Sequence, residues 1–205
     1  MTEEEARRWI SDRFGVSRET LLGTLVDEVI AEAGQQNLIS PSTMSAIWAR
    51  HVVDSAQLLA LAGDDNRAWL DIGTGAGFPG LVIACLTERP VTLCEPRRRR
   101  ADFLERTASR LGLADRVAVE ACKVERLSGD YPVISARAVA TLDALFAAAA
   151  GVSGRTTTWL LPKGRGALEE VEAARKTWHG SFHVEHSITD PESYIVVATG
   201  VRRRR

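Results

Sequence analysis

The sequence predicts an α/β protein: an open, mostly parallel sheet, preceded by a helical cap and finished by an antiparallel hairpin. Three observations carry that prediction. The first is a short apolar run, Trp69-Leu70-Asp71-Ile72, that breaks into Gly73-Thr74-Gly75-Ala76-Gly77-Phe78-Pro79-Gly80 and then resumes as Leu81-Val82-Ile83-Ala84. A buried strand that ends in closely spaced glycines and leads into a helix is the mouth of a nucleotide-shaped site. The second is a regular alternation of strand-like and helix-like segments from Ala68 onward, which implies βαβ units and right-handed crossovers. The third is a pair of strand-like runs at the end, separated by a short turn. A chain of 205 residues has room for one such domain with a modest extension.

Taken in order, residues 1–66 read as the helical cap and residues 67–205 as the sheet domain. Thr2 and Glu5 form a capping box, and Gly15 is a helix stop. Ser17 opens a second helix whose Leu21, Leu22, Leu25, Val26, Val29 and Ile30 share one stripe, and Gly34 ends it. After the polar turn from Gln35 to Pro41, a third helical segment uses Met44, Ile47, Trp48, Val52, Leu58 and Leu59. It ends at the turn cluster Gly63-Asp64-Asp65-Asn66, the expected boundary. Strands are then expected at 68–72, 91–95, 117–120, 132–136 and 157–161, and helices at 80–87, 97–111, 141–150 and 166–178. The terminal hairpin pairs residues 181–187 with 193–199 across Asp190-Pro191. Such a hairpin is foreign to the usual dinucleotide-binding half.

Composition narrows the function classes. Acids and bases nearly balance, so net charge says nothing about a polyanionic partner, but their distribution does. Residues 1–34 carry eight acids against four arginines, whereas residues 97–110 carry six arginines against Asp102 and Glu105. The chain also ends in four arginines, read either as a disordered RNA-binding tail or as a solubilising end. Arg97-Arg98-Arg99-Arg100 opens a helix, where cations oppose the macrodipole. Contact with RNA phosphates therefore competes evenly with a solvated face. Three cysteines without metal spacing read as free thiols in a reducing compartment. With a charged N-terminus and no long apolar run, a cytoplasmic protein is expected. His183 and His186 would point to opposite faces of a strand, so no metal is expected with His179.

The glycine loop fits two ligands. Gly75-x-Gly77-x-x-Gly80, with Glu95 placed to meet a ribose, matches the dinucleotide fingerprint. Gly73-x-Gly75-x-Gly77 behind Asp71 fits S-adenosylmethionine equally well. Asp71 would repel a pyrophosphate but not a cationic amino-acid group, and the hairpin and the cap favour the second ligand as well. Arg137 and Lys163 follow the fourth and fifth strands, at the sheet edge where ligands bind. Arg50, His51 and Asp54 lie within one helical turn. They read as a His51–Asp54 hydrogen bond tying cap to sheet, or, less favoured, as a wall of the substrate entrance.

The motifs together carry a resemblance. Asn37-Leu38-Ile39-Ser40, Arg50-His51-Val52-Val53-Asp54-Ser55, the loop from Leu70 to Gly80, Val124-Glu125, Ser135-Ala136-Arg137-Ala138 and Leu161-Pro162-Lys163-Gly164 resemble, in order and spacing, the bacterial 16S rRNA (guanine-N7) methyltransferase G family. That family is also called glucose-inhibited division protein B. The resemblance implies a Rossmann-like, seven-stranded methyltransferase sheet, S-adenosylmethionine as donor, and N7 of a guanine in the 530 loop of 16S rRNA (guanine 527 in the family) as acceptor. It implies cofactor contacts at Gly73, Phe78, Val124, Glu125 and Arg137, to which the loop reading adds Asp71, Gly75, Gly77 and Glu95. Arg137, Lys163, Arg97 and Arg98 are the expected substrate contacts, with 16S rRNA or the 30S subunit as partner and a monomer as the working unit. Guanine N7 has a free lone pair, so no catalytic acid or base is assigned. The alternatives are an NAD(P)-dependent oxidoreductase and a non-catalytic rRNA-binding assembly factor on the same fold.

Overall fold

The computed structural model describes residues 1–63 and 66–204. Asp64 and Asp65 of the expected boundary turn, and Arg205 of the terminal arginines, lie outside them. The sheet domain holds β1 (Trp69–Ile72), α6 (Gly80–Leu86), β2 (Val91–Cys94), α7 (Arg98–Arg110), β3 (Val117–Glu120), β4 (Val133–Ala136), α8 (Leu142–Ala148), β5 (Thr158–Lys163), α9 (Ala167–Thr177), β6 (Trp178–His186) and β7 (Tyr194–Arg203). Seven strands form one sheet in the order β3-β2-β1-β4-β5-β7-β6. The pairs among β1 to β5 are parallel, whereas β7 enters antiparallel between β5 and β6. The expected α/β class, helical cap and terminal hairpin are all present.

The central strands are buried on both faces, and their side chains alternate between two cores. Trp69, Leu93, Val133 and Leu160 join the face covered by α6, α7 and the cap. Leu70, Cys94, Ile134, Trp159 and Leu161 join the face covered by α8 and α9. There Phe146 meets Trp159 edge-on, ring centroids 4.9 Å apart. The parallel strands end together near the Gly73, Cys94 and Ala136 level, which makes their carboxyl edge one shelf.

The cap consists of α1 (Glu3–Phe14), α2 (Val16–Ala33), α3 (Pro41–Met44), a π-helical turn (Trp48–Val53), α4 (Asp54–Ala56) and α5 (Leu59–Ala62). The capping box of Thr2 and Glu5 is formed. Gly15, at φ +87°, is both the stop of α1 and the start of α2, so the second helix begins one residue before Ser17. The third helix is not continuous. Its middle is wound as a π turn, which admits one extra residue and re-aims the side chains around it. Trp48, Val52 and Val53 stay in the core while Arg50 and His51 reach the sheet edge. The exposed amides at the start of this turn need an acceptor. Glu3 of α1 supplies it, taking hydrogen bonds from the Trp48 and Ala49 amides at 3.0 Å each.

The hairpin is longer than the pattern suggests. Helix α9 stops at Thr177 and the chain enters β6 at Trp178, because pairing of Trp178 with Arg203 extends the ladder. Among the described residues no helix is long and apolar enough to cross a membrane.

Replacing Glu3 with Ala strands two backbone amides and removes a charge-assisted pair of hydrogen bonds. Denaturant unfolding is expected to show a loss of about 1–3 kcal/mol; an unchanged midpoint would remove Glu3 from the support of the π turn.

Candidate functional site

The shelf is shaped by one carboxylate. Asp71 is wholly buried at the end of β1. Its Oδ1 accepts from Ser135 Oγ of β4 at 2.7 Å; Oδ2 accepts from Thr74 Oγ1 at 2.7 Å and from the Gly80 amide at 2.9 Å. Burial pushes the Asp71 carboxyl up to about 6, against the pull of those hydrogen bonds and of Arg137. Asp71 was expected to face a bound cation; it is turned inward and acts on the loop. The loop glycines fit the same close packing. A Cβ on Gly77 would lie 2.6 Å from Leu81 Cδ1, and one on Gly80 would lie 2.9 Å from Asp71 Cβ.

The amides of this loop are largely committed. Gly73 and Thr74 donate to the Cys94 carbonyl, Gly77 and Phe78 to the Thr74 carbonyl, and Gly80 to Asp71. Gly75 donates to Glu95 Oε2 at 3.0 Å, and Glu95 Oε1 takes the Arg97 amide at 2.9 Å. A pyrophosphate site needs a row of free amides at a helix start. Here those amides are spent and two buried acids, Asp71 and Glu95, stand beside them. The dinucleotide reading of the spacing therefore loses its physical basis.

Above the shelf lies a cavity of about 690 Å³. Gly73, Gly75 and Phe78 form its floor, and Arg50, His51 and Asp54 of the cap form one wall. Arg137 to Ala140 and Lys163 form another, and Thr189 and Asp190 of the β6–β7 turn close the side with Tyr194 at the start of β7. The contribution of that turn had no local signal in the sequence, because only the insertion of β7 beside β5 brings it here. Ala138 adopts a left-handed φ of +55°, a strained state of the kind that gathers at functional loops. Val139 then lies over Gly73.

Arg137 is the hub of the cavity. Its NH1 donates to the Arg50 carbonyl at 3.0 Å and to Asp54 Oδ2 at 3.4 Å; its NH2 donates to His51 Nδ1. The expected His51–Asp54 bond is replaced by this arrangement, in which both residues bind Arg137. His51 is held neutral, its pKa pushed down to about 3 by burial first and then by Arg137 and Arg50. With Nδ1 as acceptor, the ring proton sits on Nε2, which donates to Thr43 Oγ1 at 3.0 Å, and Thr43 donates on to the Ser40 carbonyl. The ring stacks on Phe78 at 5.0 Å, with an interplanar angle of 20°. Asp54 Oδ1 accepts from Gln57, Ser187 and Thr189, tying the hairpin turn to the cap. Lys163 lines the cavity, yet its ammonium is held by the Ala140 carbonyl at 2.7 Å and Glu170 at 2.8 Å.

Other expected site residues stand apart from this cavity. Val124 is buried and Glu125 exposed in the turn after β3, beside the end of β2 but outside the lining. Arg97 and Arg98 are exposed at the start of α7, with Arg98 paired to Asp102 at 2.8 Å. Only Arg100 of that run reaches the cavity, where it also binds the Asn37 carbonyl at 2.7 Å. Further along α7, Arg106 and Arg110 bind Glu32 and Glu28 of α2, so part of the basic stripe holds the cap. Arg202 to Arg204 are not a loose tail: Arg202 and Arg203 belong to β7, and the Arg204 amide binds the Thr177 carbonyl. They sit at the end of the sheet opposite the cavity, since Tyr194 begins β7 beside Lys163. His183 and His186 are three residues apart on β6 and so face opposite ways.

Two pH effects follow from these burials. Because Asp71 has a raised folded-state pKa, its ionised form costs stability at neutral pH, and that cost is lost as pH falls from about 6 to the unfolded value of 3.8. Unfolding titrations of wild type against Asp71→Asn are expected to show wild type gaining, on the order of 3 kcal/mol, from pH 7 to pH 4. A pH-independent difference would contradict the buried clamp. His51 has the opposite sign: its depressed pKa favours folding above pH 6.5, an advantage lost as pH falls toward 3. Ring resonances of His51 in NMR spectra should stay constant from pH 5 to pH 8, and a midpoint in that interval would refute its neutral state.

Comparison with known proteins adds the family. A family model described as rRNA small subunit methyltransferase G matches residues 18–193. The Ribosomal RNA small subunit methyltransferase G of Rhizorhabdus wittichii is 50% identical over 209 residues, covering 100% of this chain and 95% of its own length. That of Zymomonas mobilis is 43% identical over 216 residues, covering 100% and 97%. Among solved structures, an O-methyltransferase from Bacillus cereus in complex with SAH shares the fold at TM-score 0.58 and 16% identity, covering 94% of this chain and 96% of that one. On a match that takes in the glycine loop, the Arg137 hub and the Lys163 strand end, this chain belongs to the rRNA small subunit methyltransferase G family.

Proposed function

We propose that this protein transfers the methyl group of S-adenosylmethionine to N7 of a guanine in 16S rRNA, the guanine of the 530 loop. The observation that carries the cofactor half is the glycine loop, whose amides are spent internally while Glu95 and Arg137 remain beside it. Family membership carries the acceptor half. The residues present fit the cofactor. Gly73, Gly75 and Gly77 keep the loop close and low, and Phe78 gives an apolar face. Glu95 retains acceptor lone pairs for ribose hydroxyls, and Val124 and Glu125 are suited to the adenine side. Asp71 serves it indirectly, by holding the loop.

When bound, the cofactor supplies an electrophilic methyl on a cationic sulfur. The chain's own work is to place the acceptor and to tolerate a charge that moves onto the purine. Among the described residues, three of the four cations lining the cavity are ion-paired, and the fourth, Arg100, is held by the Asn37 carbonyl. Arg50 is paired with Asp190 at 2.7 Å, Arg137 with Asp54 and Lys163 with Glu170. A methylated, cationic guanine thus meets a wall in which three acids offset most of the positive charge. His51 does not act as a base, because its lone pair is bound to Arg137 and its proton to Thr43. N7 needs none. An open cavity at the sheet edge suits a base taken out of its stack, and exposed Arg97 and Arg98 lie where RNA phosphates would approach it. The working unit is a cytoplasmic monomer acting on rRNA or on the 30S subunit.

The oxidoreductase and the assembly-factor readings separate cleanly by experiment. S-adenosylhomocysteine is expected to raise the melting temperature and NADH to leave it unchanged. Label from the methyl donor should then enter 16S rRNA of purified 30S particles as 7-methylguanosine. Protection by NADH alone supports the first alternative, and cofactor binding without transfer to either 30S particles or free 16S rRNA supports the second.

A further inference from the structure

Arg137 has five N–H donors, and its partners account for three of them. NH1 spends both of its protons on the Arg50 carbonyl and Asp54, and NH2 spends one on His51. The Nε proton and the second NH2 proton have no partner among the described residues. The side chain is only 19% exposed, yet it lines the cavity beside Gly73. With His51 on the NH2 proton that faces NH1, the unspent pair is the side-on fork that takes a carboxylate in two parallel hydrogen bonds. S-adenosylmethionine carries one carboxylate, on its amino-acid end.

We infer that His51 is the positioning residue for that carboxylate: it holds Arg137 by one edge so that the Nε and NH2 edge meets the amino-acid end of the cofactor. The inference rests on the cofactor reading above. The residue type fits the task. Asp54 already pairs with Arg137, so a second acid at position 51 would make the group net negative and repel an incoming carboxylate. A neutral imidazole accepts the hydrogen bond and adds no negative charge. Three further contacts fix the ring. Thr43 takes the Nε2 proton and so keeps the Nδ1 lone pair toward Arg137, Phe78 fixes the ring plane, and the π turn that carries His51 is anchored through Glu3.

The test compares two ligands by calorimetry on the purified full-length protein. S-adenosylhomocysteine has the amino-acid end; 5′-methylthioadenosine lacks it. His51→Phe keeps the stacked ring but removes the acceptor. It is expected to weaken S-adenosylhomocysteine at least about tenfold, the scale of a hydrogen bond to a charged group, and to leave 5′-methylthioadenosine within about twofold. His51→Asn restores an acceptor at the Nδ1 position and should recover most of the loss. Thr43→Val, a change at a half-buried site, frees the tautomer and should give a smaller loss confined to the same ligand. If His51→Phe does not fold, Thr43→Val decides by the same criterion. Equal affinity of wild type and variants for S-adenosylhomocysteine, or equal losses for both ligands, overturns the assignment. A wild-type protein that binds neither ligand overturns the cofactor reading itself.

Discussion

A buried carboxylate that has no counter-ion must spend its lone pairs on hydrogen bonds or lose its charge. Asp71 does the first, and the site follows from how. One oxygen ties β1 to β4 through Ser135, and the other draws Thr74 and the first amide of α6 inward. Ser135 in turn accepts from the Trp69 indole at 2.8 Å, so the same contact reaches the core. The loop is thereby forced into a tight path where a side chain on Gly77 or Gly80 has no room. The glycines are thus required as much by the protein's own packing as by a ligand. The pKa of Asp71 is raised because the desolvation of burial outweighs the hydrogen bonds and the pull of Arg137.

Arg137 organises the opposite side of the cavity by the same logic with the sign reversed. Burial pulls its pKa down, and Asp54 and Asp71 oppose that pull. Its donors draw in the cap through Arg50, His51 and Asp54. Asp54 and Gln57 then draw in the β6–β7 turn through Ser187, Ile188 and Thr189. Three segments distant in sequence meet around one guanidinium. This explains why the cap is part of the site as well as a cover for the sheet, and why its third helix departs from regular winding where His51 must face inward.

The surface charges divide between the two tasks. Arg106 and Arg110 hold the acidic face of α2, and Arg100 holds the turn before α3 at Asn37. The basic stripe of α7 is therefore partly a seam between cap and sheet. Arg97 to Arg99 stay exposed at the start of α7, whereas Arg202 to Arg204 lie at the far end of the sheet.

Much of the fold was legible because short apolar strand runs, capped helices and a glycine-rich turn are local signals. The strand–loop–helix at Asp71 to Gly80, the alternation after Ala68 and the terminal hairpin each follow from a few adjacent residues. The residue types of the loop were legible too, although their partners were not: Asp71 was read as facing a ligand and is turned inward, where three donors reach it. The tertiary structure alone decided the π turn, the meeting of His51 and Asp54 on Arg137, the place of the β6–β7 turn in the cavity wall, and the removal of Arg202 to Arg204 from it. The reason is the same in each case. A spacing in sequence specifies which face of an element a side chain takes, but hydrogen-bond partners and enclosure come from elements that sheet order and burial bring together over many tens of residues.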